Sequence, residues 1–354
     1  MGVDASLFYE LSADSYRLRR GPLGRFWLRA RMYGLYPFKL LRHCRKTKNV
    51  HARVVCSNTF YAPLIAALAQ KQGSTKVIHL VYDLFPDALF EAGVIRTGSA
   101  IAAACDATVR KTFRHSSASV FLGKRLLSHA ESRFGAIRNS CIIPVGADGS
   151  SFAANPPRIL ARNEPIDVLY CGNLGRLHDA NTLIDALTFG LSPEGRQIRF
   201  CFHSSGHHFK LLEDFSRSAS RSDTKLELGD FLSGQSWIKR MQQAHVGLVT
   251  MRPGAERVLM PSKTYSALVA GQALLAICPR ESDLADLVTQ YECGWVVAPG
   301  NASALISAIE QIRGSPEELQ RRRENAFRIG HSRFSSRLIA KHWKDLFDRL
   351  DSGG

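Results

Sequence analysis

Lys76-Val-Ile-His-Leu-Val-Tyr82 is a near-continuous apolar run, and it narrows the fold more than any other stretch of the chain. A strand that is hydrophobic on both sides needs cover on both sides, which is the condition of a parallel sheet packed between helices. Similar runs recur at Ala52–Ser57, Ala118–Leu122, Cys141–Pro144, Ile166–Cys171, Ile198–Phe202, Lys225–Leu228, Val246–Thr250, Gln272–Cys278 and Gly294–Ala298. Between them lie helical segments: Ala62–Lys71 ended by Gly73, Ile101–Phe113, a helix opened by Gly123-Lys124-Arg125, Asp179–Leu187, Trp237–Gln243 and Ala302–Arg313. Strand–helix alternation of this kind predicts an α/β fold. The turn-rich stretch from Ala153 to Pro165 interrupts it and reads as a linker. Two doubly wound domains are therefore expected, over residues 1–155 and 156–335, with Phe334–Leu350 forming one long amphipathic terminal helix.

The 354 residues are enough for two ordinary domains, and a hydrophobic content of 45% is globular. No uncharged apolar run reaches the roughly 18 residues of a membrane span, and no signal-peptide pattern opens the chain. The eight cysteines form no C-x-x-C pair and sit mostly in apolar runs, so they read as small buried hydrophobes in a reducing, cytosolic compartment. The net charge of +16 is unevenly placed: no acidic residue occurs between Ser15 and Tyr82. Arg17, Arg19, Arg20, Arg25, Arg29, Arg31, Lys39, Arg42, Arg45, Lys46 and Lys48 are interleaved there with Phe26, Trp27, Tyr33, Tyr36 and Phe38. Cations and rings together over residues 17–48 suit an anionic membrane surface. Nucleic acid is the competing partner but no zinc-finger or RNP-type motif accompanies the charge, and a solvated basic helix is the third reading.

Two places could hold phosphate. In Leu259-Met-Pro-Ser-Lys-Thr-Tyr-Ser-Ala-Leu-Val-Ala-Gly271, Pro261 and Ser262 start a short helix and Gly271 stops it. Lys263 then faces the positive end of the helix dipole, which is unfavourable unless an anion sits there. Either it is a solvated surface lysine or it is an anion ligand. Gly172-Asn-Leu-Gly-Arg176 follows the first strand of the second domain, and its spacing matches neither the dinucleotide fingerprint nor a Walker loop. Both places fall at carboxyl ends of strands of one parallel sheet, where such folds bind ligands. An arginine and a lysine flanking one diphosphate could stabilise a nucleotide leaving group without metal. Asp83 also follows a strand, and is either a helix cap or a substrate contact. His79, inside an apolar strand, reads as a core residue.

Four segments occur in the order of a known family: Cys141-Ile-Ile-Pro-Val-Gly-Ala-Asp148 with Phe152, Tyr170-Cys-Gly-Asn-Leu-Gly-Arg-Leu-His-Asp179, Ala244-His-Val-Gly-Leu-Val249, and Met260 to Gly271. With Asp83-Leu-Phe-Pro-Asp87 and Gly93, they resemble retaining GT-B glycosyltransferases of the family 4 type, in particular the bacterial subgroup that builds surface polysaccharides on lipid carriers. The likeness covers roughly residues 52–350. It implies two Rossmann-like domains facing a cleft and a terminal helix, 336–354, that crosses back onto the first domain. It further implies a nucleotide-sugar donor on the C-terminal domain, an acceptor on the N-terminal domain, no metal or other cofactor, and work at the inner face of the cell membrane. Arg176 and Lys263 fall on the positions that hold the donor diphosphate. The expected donor side comprises Gly172, Asn173, Gly175, Arg176, Ser205, Glu256, Pro261, Ser262, Lys263 and Ser266, with Glu256 toward the sugar hydroxyls and Asp83 on the acceptor side. Two departures stand out: Ser266 replaces the glutamate that commonly binds the ribose, and Val258 stands where that pair's first glutamate would fall, with Glu256 out of register. A sugar-nucleotide epimerase on the same architecture and a non-catalytic partner subunit are the rival readings.

Overall fold

The structure is a computed structural model and describes residues 5–9, 22–47, 50–69, 75–152, 156–161, 164–190, 197–218 and 225–352. Arg17, Arg19, Arg20, Lys48, Lys71, Gly73 and parts of the expected linker (153–155 and 162–163) lie outside the described residues.

The first sheet is parallel throughout, in the order β1 (Ala52–Cys56), β2 (Lys76–Val81), β3 (Ala118–Phe121), β4 (Ser140–Ile142). The apolar run that begins at Lys76 is β2, paired on both edges and covered on both faces as its composition demands. Val77 packs against Tyr36 and Leu40 of α2 (Tyr36–Lys46) and against Ala62 and Ala66 of α3 (Ala62–Leu68). Ile78 points the other way and, with Val120 and Ile143, receives Ile339, Leu346 and Leu350 from the terminal helix. His79 is buried on the same strand against Phe113, and burial drives its pKa down to about 3, so it is a neutral core residue.

The second sheet, β10-β9-β8-β5-β6-β7, is the doubly wound one. The chain runs outward through β5 (Ile166–Asn173), β6 (Ile198–Ser205) and β7 (Lys225–Gly229). It then returns to place β8 (Val246–Thr250) on the far side of β5 and continues through β9 (Ala273–Ile277) and β10 (Gly294–Val297). Every residue of β8 and β9 is buried. The strand order reverses between β5 and β8, which pair only at Val168–Val246 and Leu169–Gly247. A crevice past their carboxyl ends is therefore built into the topology. The first sheet has no such reversal among the described residues.

The other helices between strands are α4 (Asp87–Glu91), α5 (Ala100–His115), α6 (Lys124–Phe134), α7 (Asn181–Phe189), α8 (Phe209–Ser218), α9 (Gly234–Gln243), α10 (Lys263–Val269) and α11 (Asp283–Gln290). They are followed by α12 (Ala302–Gly314) and α13 (Pro316–Arg333). The sequence pattern did not announce α13, because its buried stripe mixes Leu319, Ala326 and Ile329 with Gln320 and Arg323. Gly330 lets it lie directly on the backbone of Leu268–Val269, where a Cβ would come within 2.7 Å of main-chain atoms. The chain then crosses to the first domain: Ala147 N–H donates to Phe334 O (2.9 Å) and Ser336 N–H to Ala147 O (2.9 Å). Helix α14 (Ser336–Asp351) docks on the first sheet as expected, and Lys76 Nζ holds its last turn through Leu350 O at 2.7 Å.

The domains meet through a shared apolar cluster in which Val81, Leu84, Phe121 and Leu126 join Val249, Met251, Ala255 and Leu284. Leu84 N–H donates to Val258 O across the boundary (3.1 Å). Helix α6 has Gly123 at its N-cap, which offers no side chain. Its free amides are satisfied from the other domain, where Asp283 Oδ1 and Oδ2 each accept one bond, from Lys124 N–H and Arg125 N–H, both at 3.0 Å. Asp283→Ala is accordingly expected to cost about 1–2 kcal/mol, as other N-cap losses do, seen as a lower denaturant midpoint.

Candidate functional site

A cavity of about 620 Å³ lies over the carboxyl ends of β5 and β8 and is lined from both domains. The first domain supplies Tyr82, Asp83, Val145 and Gly146. The second supplies Cys171-Gly172-Asn173, His178, the Phe231–Gly234 loop, Trp237, Leu259–Lys263, Ser266 and Gln272.

Lys263 opens α10 and projects under Gly172, whose φ of +137° is a conformation that suits glycine and strains any other residue. A Cβ at Gly172 would lie 3.6 Å from Lys263 Cε, so the glycine also keeps the lysine's path open. Lys263 Nζ donates to the buried Tyr170 hydroxyl at 2.5 Å and sits 4.1 Å from that ring's centre. Tyr170 O–H in turn donates to Asn173 O (2.9 Å), which fixes the turn that leaves β5. Among the described residues Lys263 has no carboxylate partner. Burial pushes its pKa down to about 7, half way to a neutral amine at physiological pH. A cation so placed at a cavity wall is poised for an anion.

His178 stands nearby, with Nδ1 bonded to Thr250 O at 2.7 Å. A carbonyl can only accept, so Nδ1 carries the proton and Nε2 is an acceptor. Burial, reinforced by Lys263, lowers its pKa to about 3 and keeps the ring neutral. On the opposite wall Ser57 Oγ accepts from Tyr82 N–H (3.0 Å) and Asp83 N–H (3.1 Å), which turns the chain at the end of β2 into the cavity. Burial raises the Asp83 carboxyl to about 6. Asp83 does not cap α4, which begins at Asp87; it lines the cavity. Asp87 instead accepts from Arg133 Nη1 (2.8 Å) and contacts His129 Nε2 (3.0 Å), tying α4 to α6.

Of the residues expected to bind the donor, Gly172, Asn173, Pro261, Ser262, Lys263 and Ser266 line this cavity. Arg176 does not. It is exposed on the loop beyond, where its carbonyl accepts from Arg252 Nη1 (3.2 Å) and its charge lowers the pKa of His207. Gly175 and Ser205 lie beside the loop outside the lining, with Ser205 in register with Asn173. Glu256 sits in the turn Ala255–Arg257, with Oε1 3.4 Å from Arg257 Nε and Oε2 buried without a partner. Tyr170, His178 and Trp237 went unassigned in the sequence. Tyr170 and His178 belong to the segment Tyr170–Asp179, but a tyrosine inside an apolar strand reads as core, and only the fold shows its hydroxyl under Lys263.

Two parallel α/β sheets facing a cleft, crossed twice by the chain and closed by a terminal helix, match solved structures over most of their length. A sucrose-phosphate synthase from Thermosynechococcus elongatus superposes with a TM-score of 0.69 at 15% identity, covering 90% of this chain and 77% of that one. HepE of Anabaena in complex with UDP-glucose does so with a TM-score of 0.66 at 16% identity, covering 94% and 84%. The architecture is GT-B. By sequence the chain is similar to Probable glycosyltransferase WbjE of Pseudomonas aeruginosa, 23% identical over 255 residues. That match takes in 67% of this chain and spans 60% of the relative's length. No protein-family profile matches the chain. In the GT-B frame the cavity falls in the interdomain cleft, with Lys263, Gly172 and Ser266 on the C-terminal side and Asp83 on the N-terminal side.

Proposed function

We propose that the protein is a glycosyltransferase that moves a sugar from a nucleoside diphosphate sugar to a lipid-linked or polysaccharide acceptor. The observation that carries this reading is Lys263, a desolvated amine without a counter-ion among the described residues, in a cavity at the strand-order reversal of a GT-B fold. The solved neighbour HepE in complex with UDP-glucose supports a nucleotide-sugar donor. A diphosphate reaching Lys263 would restore its full charge and receive it as the glycosidic oxygen departs. Arg176, exposed on its loop, is free to swing toward the second phosphate, and the two cations together would serve in place of a metal. Gly172 lets the backbone approach the phosphates, and Ser266 offers a hydroxyl where related enzymes present a carboxylate to the ribose. Glu256 lies outside the cavity lining with Oε2 buried, so contact with a sugar hydroxyl would require the Ala255–Arg257 turn to open. Asp83, its pKa raised by burial to about 6 and so still mostly ionised at pH 7, would accept from the acceptor hydroxyl. Retention of configuration rests on the likeness to family 4 motifs.

Incubation with a panel of nucleotide sugars, with and without membrane vesicles carrying lipid-linked glycans, tests the proposal through nucleotide release and thermal shift. Release that depends on acceptor supports it. Conversion of the donor without acceptor identifies an epimerase, and no thermal shift with any donor identifies a non-catalytic subunit.

A pH dependence follows from Lys263. Its pKa is about 7 in the folded protein, and a bound diphosphate would raise it. Above pH 7 the complex therefore holds more protons than the free protein, and affinity falls as pH rises, by up to about tenfold per unit for one proton. A nucleotide sugar is a diphosphate diester with no proton of its own to lose in this range. Calorimetric titration between pH 6.5 and 8.5 should show that decline, and Lys263→Met should flatten it.

The acceptor is proposed to be reached at an anionic membrane surface, as a peripheral protein on its cytoplasmic side. Helix α1 (Pro22–Ala30), a π-helical stretch (Arg31–Leu35) and α2 form one continuous helical run on the first domain. Phe26, Trp27, Tyr33 and Phe38 are each more than 60% exposed along it, beside exposed Arg29, Arg42, Arg45 and Lys46. Among the described residues no helix is long and apolar enough to cross a membrane.

A further inference from the structure

A second cavity, of about 650 Å³, opens at the amino edge of the second sheet, the edge opposite Lys263. Asp167 at the start of β5 and His245 just before β8 form its floor. Arg240 of α9 and Arg323 of α13 stand in its wall, and Arg158 of the interdomain segment stands at its rim.

The lining holds four guanidinium groups (Arg158, Arg199, Arg240 and Arg323) against three carboxylates (Glu164, Asp167 and Glu227), one cation in excess. The Asp167 carboxylate is shared between Arg199 Nε (2.6 Å) and Arg240 Nη1 (3.4 Å). Glu164 is held by both guanidinium arms of Arg158, at 2.5 and 2.7 Å. Arg323 has no carboxylate partner among the described residues, although it is only 3% exposed. Its Nη1 donates to Arg158 O (2.9 Å) and Gln320 Oε1 (3.1 Å), and its buried Nε has no acceptor among the described residues. A buried guanidinium remains charged, and leaving it without a counter-ion is strongly unfavourable unless something else supplies one. His245 is neutral and already engaged: its Nδ1 accepts from Asp167 N–H (3.0 Å), so its proton lies on Nε2, which faces Glu164 Oε1 at 3.4 Å.

We propose that this cavity is a second anion site, which takes a small phosphate-bearing metabolite with its phosphate on Arg323, with Arg158 exchanging Glu164 for the phosphate, and with Arg240 within the same wall. Guanidinium forks match phosphate geometry, and the volume suits a small molecule rather than a bare ion. The site is distinct from the cavity at Lys263, yet connected to it. Val269 and Ala270, at the far end of the helix that Lys263 opens, line it, and so do Pro156 and Pro157 of the segment joining the domains. An occupant would brace that segment against the second domain. The proposal does not depend on glycosyl transfer.

The test is calorimetric titration of the full chain with inorganic phosphate and with glucose 6-phosphate at constant ionic strength, in wild type, Arg323→Gln, Arg158→Gln and Lys263→Ala. Saturable binding is expected in wild type and in Lys263→Ala, tighter for the sugar phosphate, and at least tenfold weaker in both arginine variants. Arg158 is exposed, so that variant decides the matter even if Arg323→Gln fails to fold. No saturable binding to wild type, equal binding to Arg158→Gln, or loss of binding in Lys263→Ala would overturn the proposal.

Discussion

Lys263→Met is expected to lower nucleotide-sugar turnover by roughly 10²–10³-fold, the cost of deleting one charged group aimed at a departing oxyanion. The loss should fall on kcat more than on KM, because the ammonium meets its strongest partner only as charge builds on the leaving diphosphate. The same substitution should not weaken the fold. Lys263 titrates at about 7 in the folded chain against 10.5 when exposed, so folding disfavours its charged form. Between those values the unfolded chain holds the extra proton, and the contribution of this group to stability rises with pH. Below pH 7 the full cost of the buried charge is present. Lys263→Met keeps the aliphatic stem against Tyr170 and removes that cost, so its melting temperature near pH 6.5 should equal or exceed that of wild type. A variant that loses both turnover and melting temperature would show a structural lysine and sink the assignment. Tyr170→Phe gives an intermediate case: it removes the hydroxyl that orients the amine but keeps the ring beneath it.

That site was only partly legible in the sequence, and the division has a physical cause. Strands buried on both faces announce themselves by composition alone, which is why Lys76–Val81 and Ala273–Ile277 emerge where the apolar runs place them. Gly172 was legible because a strand-to-helix turn beside a ligand needs a positive φ. Side chains that act through their surroundings were not. Lys263 read alone is a surface lysine or an anion ligand, and only the fold shows it buried on Tyr170 with no carboxylate in reach among the described residues. Arg176 was expected in the site from its charge and its place in the chain, but no local pattern says that it stands outside the cavity lining. Asp283 is a further case. Its two bonds to the start of α6 join residues 158 and 159 positions apart, and nothing local marks an N-cap supplied from another domain. Helix α13 was hidden because two of the residues it buries are polar, and one of them, Arg323, is the unbalanced charge of the second cavity.

Replacing Arg29, Arg42, Arg45 and Lys46 together with glutamine is expected to weaken binding to vesicles rich in anionic phospholipid by about a thousandfold. Each cation near such a surface contributes about 1 kcal/mol, so four contribute about 4, and 1.4 kcal/mol is a factor of ten. The aromatic residues act by a different term. Phe26, Trp27 and Phe38 present rings to solvent that would enter the headgroup layer, and their burial does not depend on salt. A Phe26→Ser, Trp27→Ser, Phe38→Ser variant should therefore lose binding equally at low and high ionic strength, whereas the charge variant should differ from wild type mainly at low salt. The side chains on the inner face of α2 are excluded from both variants, because Tyr36, Leu40 and Cys44 hold the helix onto the first sheet and their loss would unfold it. Sedimentation with neutral and anionic vesicles separates the possibilities. Equal partition onto both kinds of vesicle would leave the rings alone responsible. No partition onto either would return this helix to a solvated surface, and the acceptor would then have to be a soluble glycan brought to Asp83 from solution.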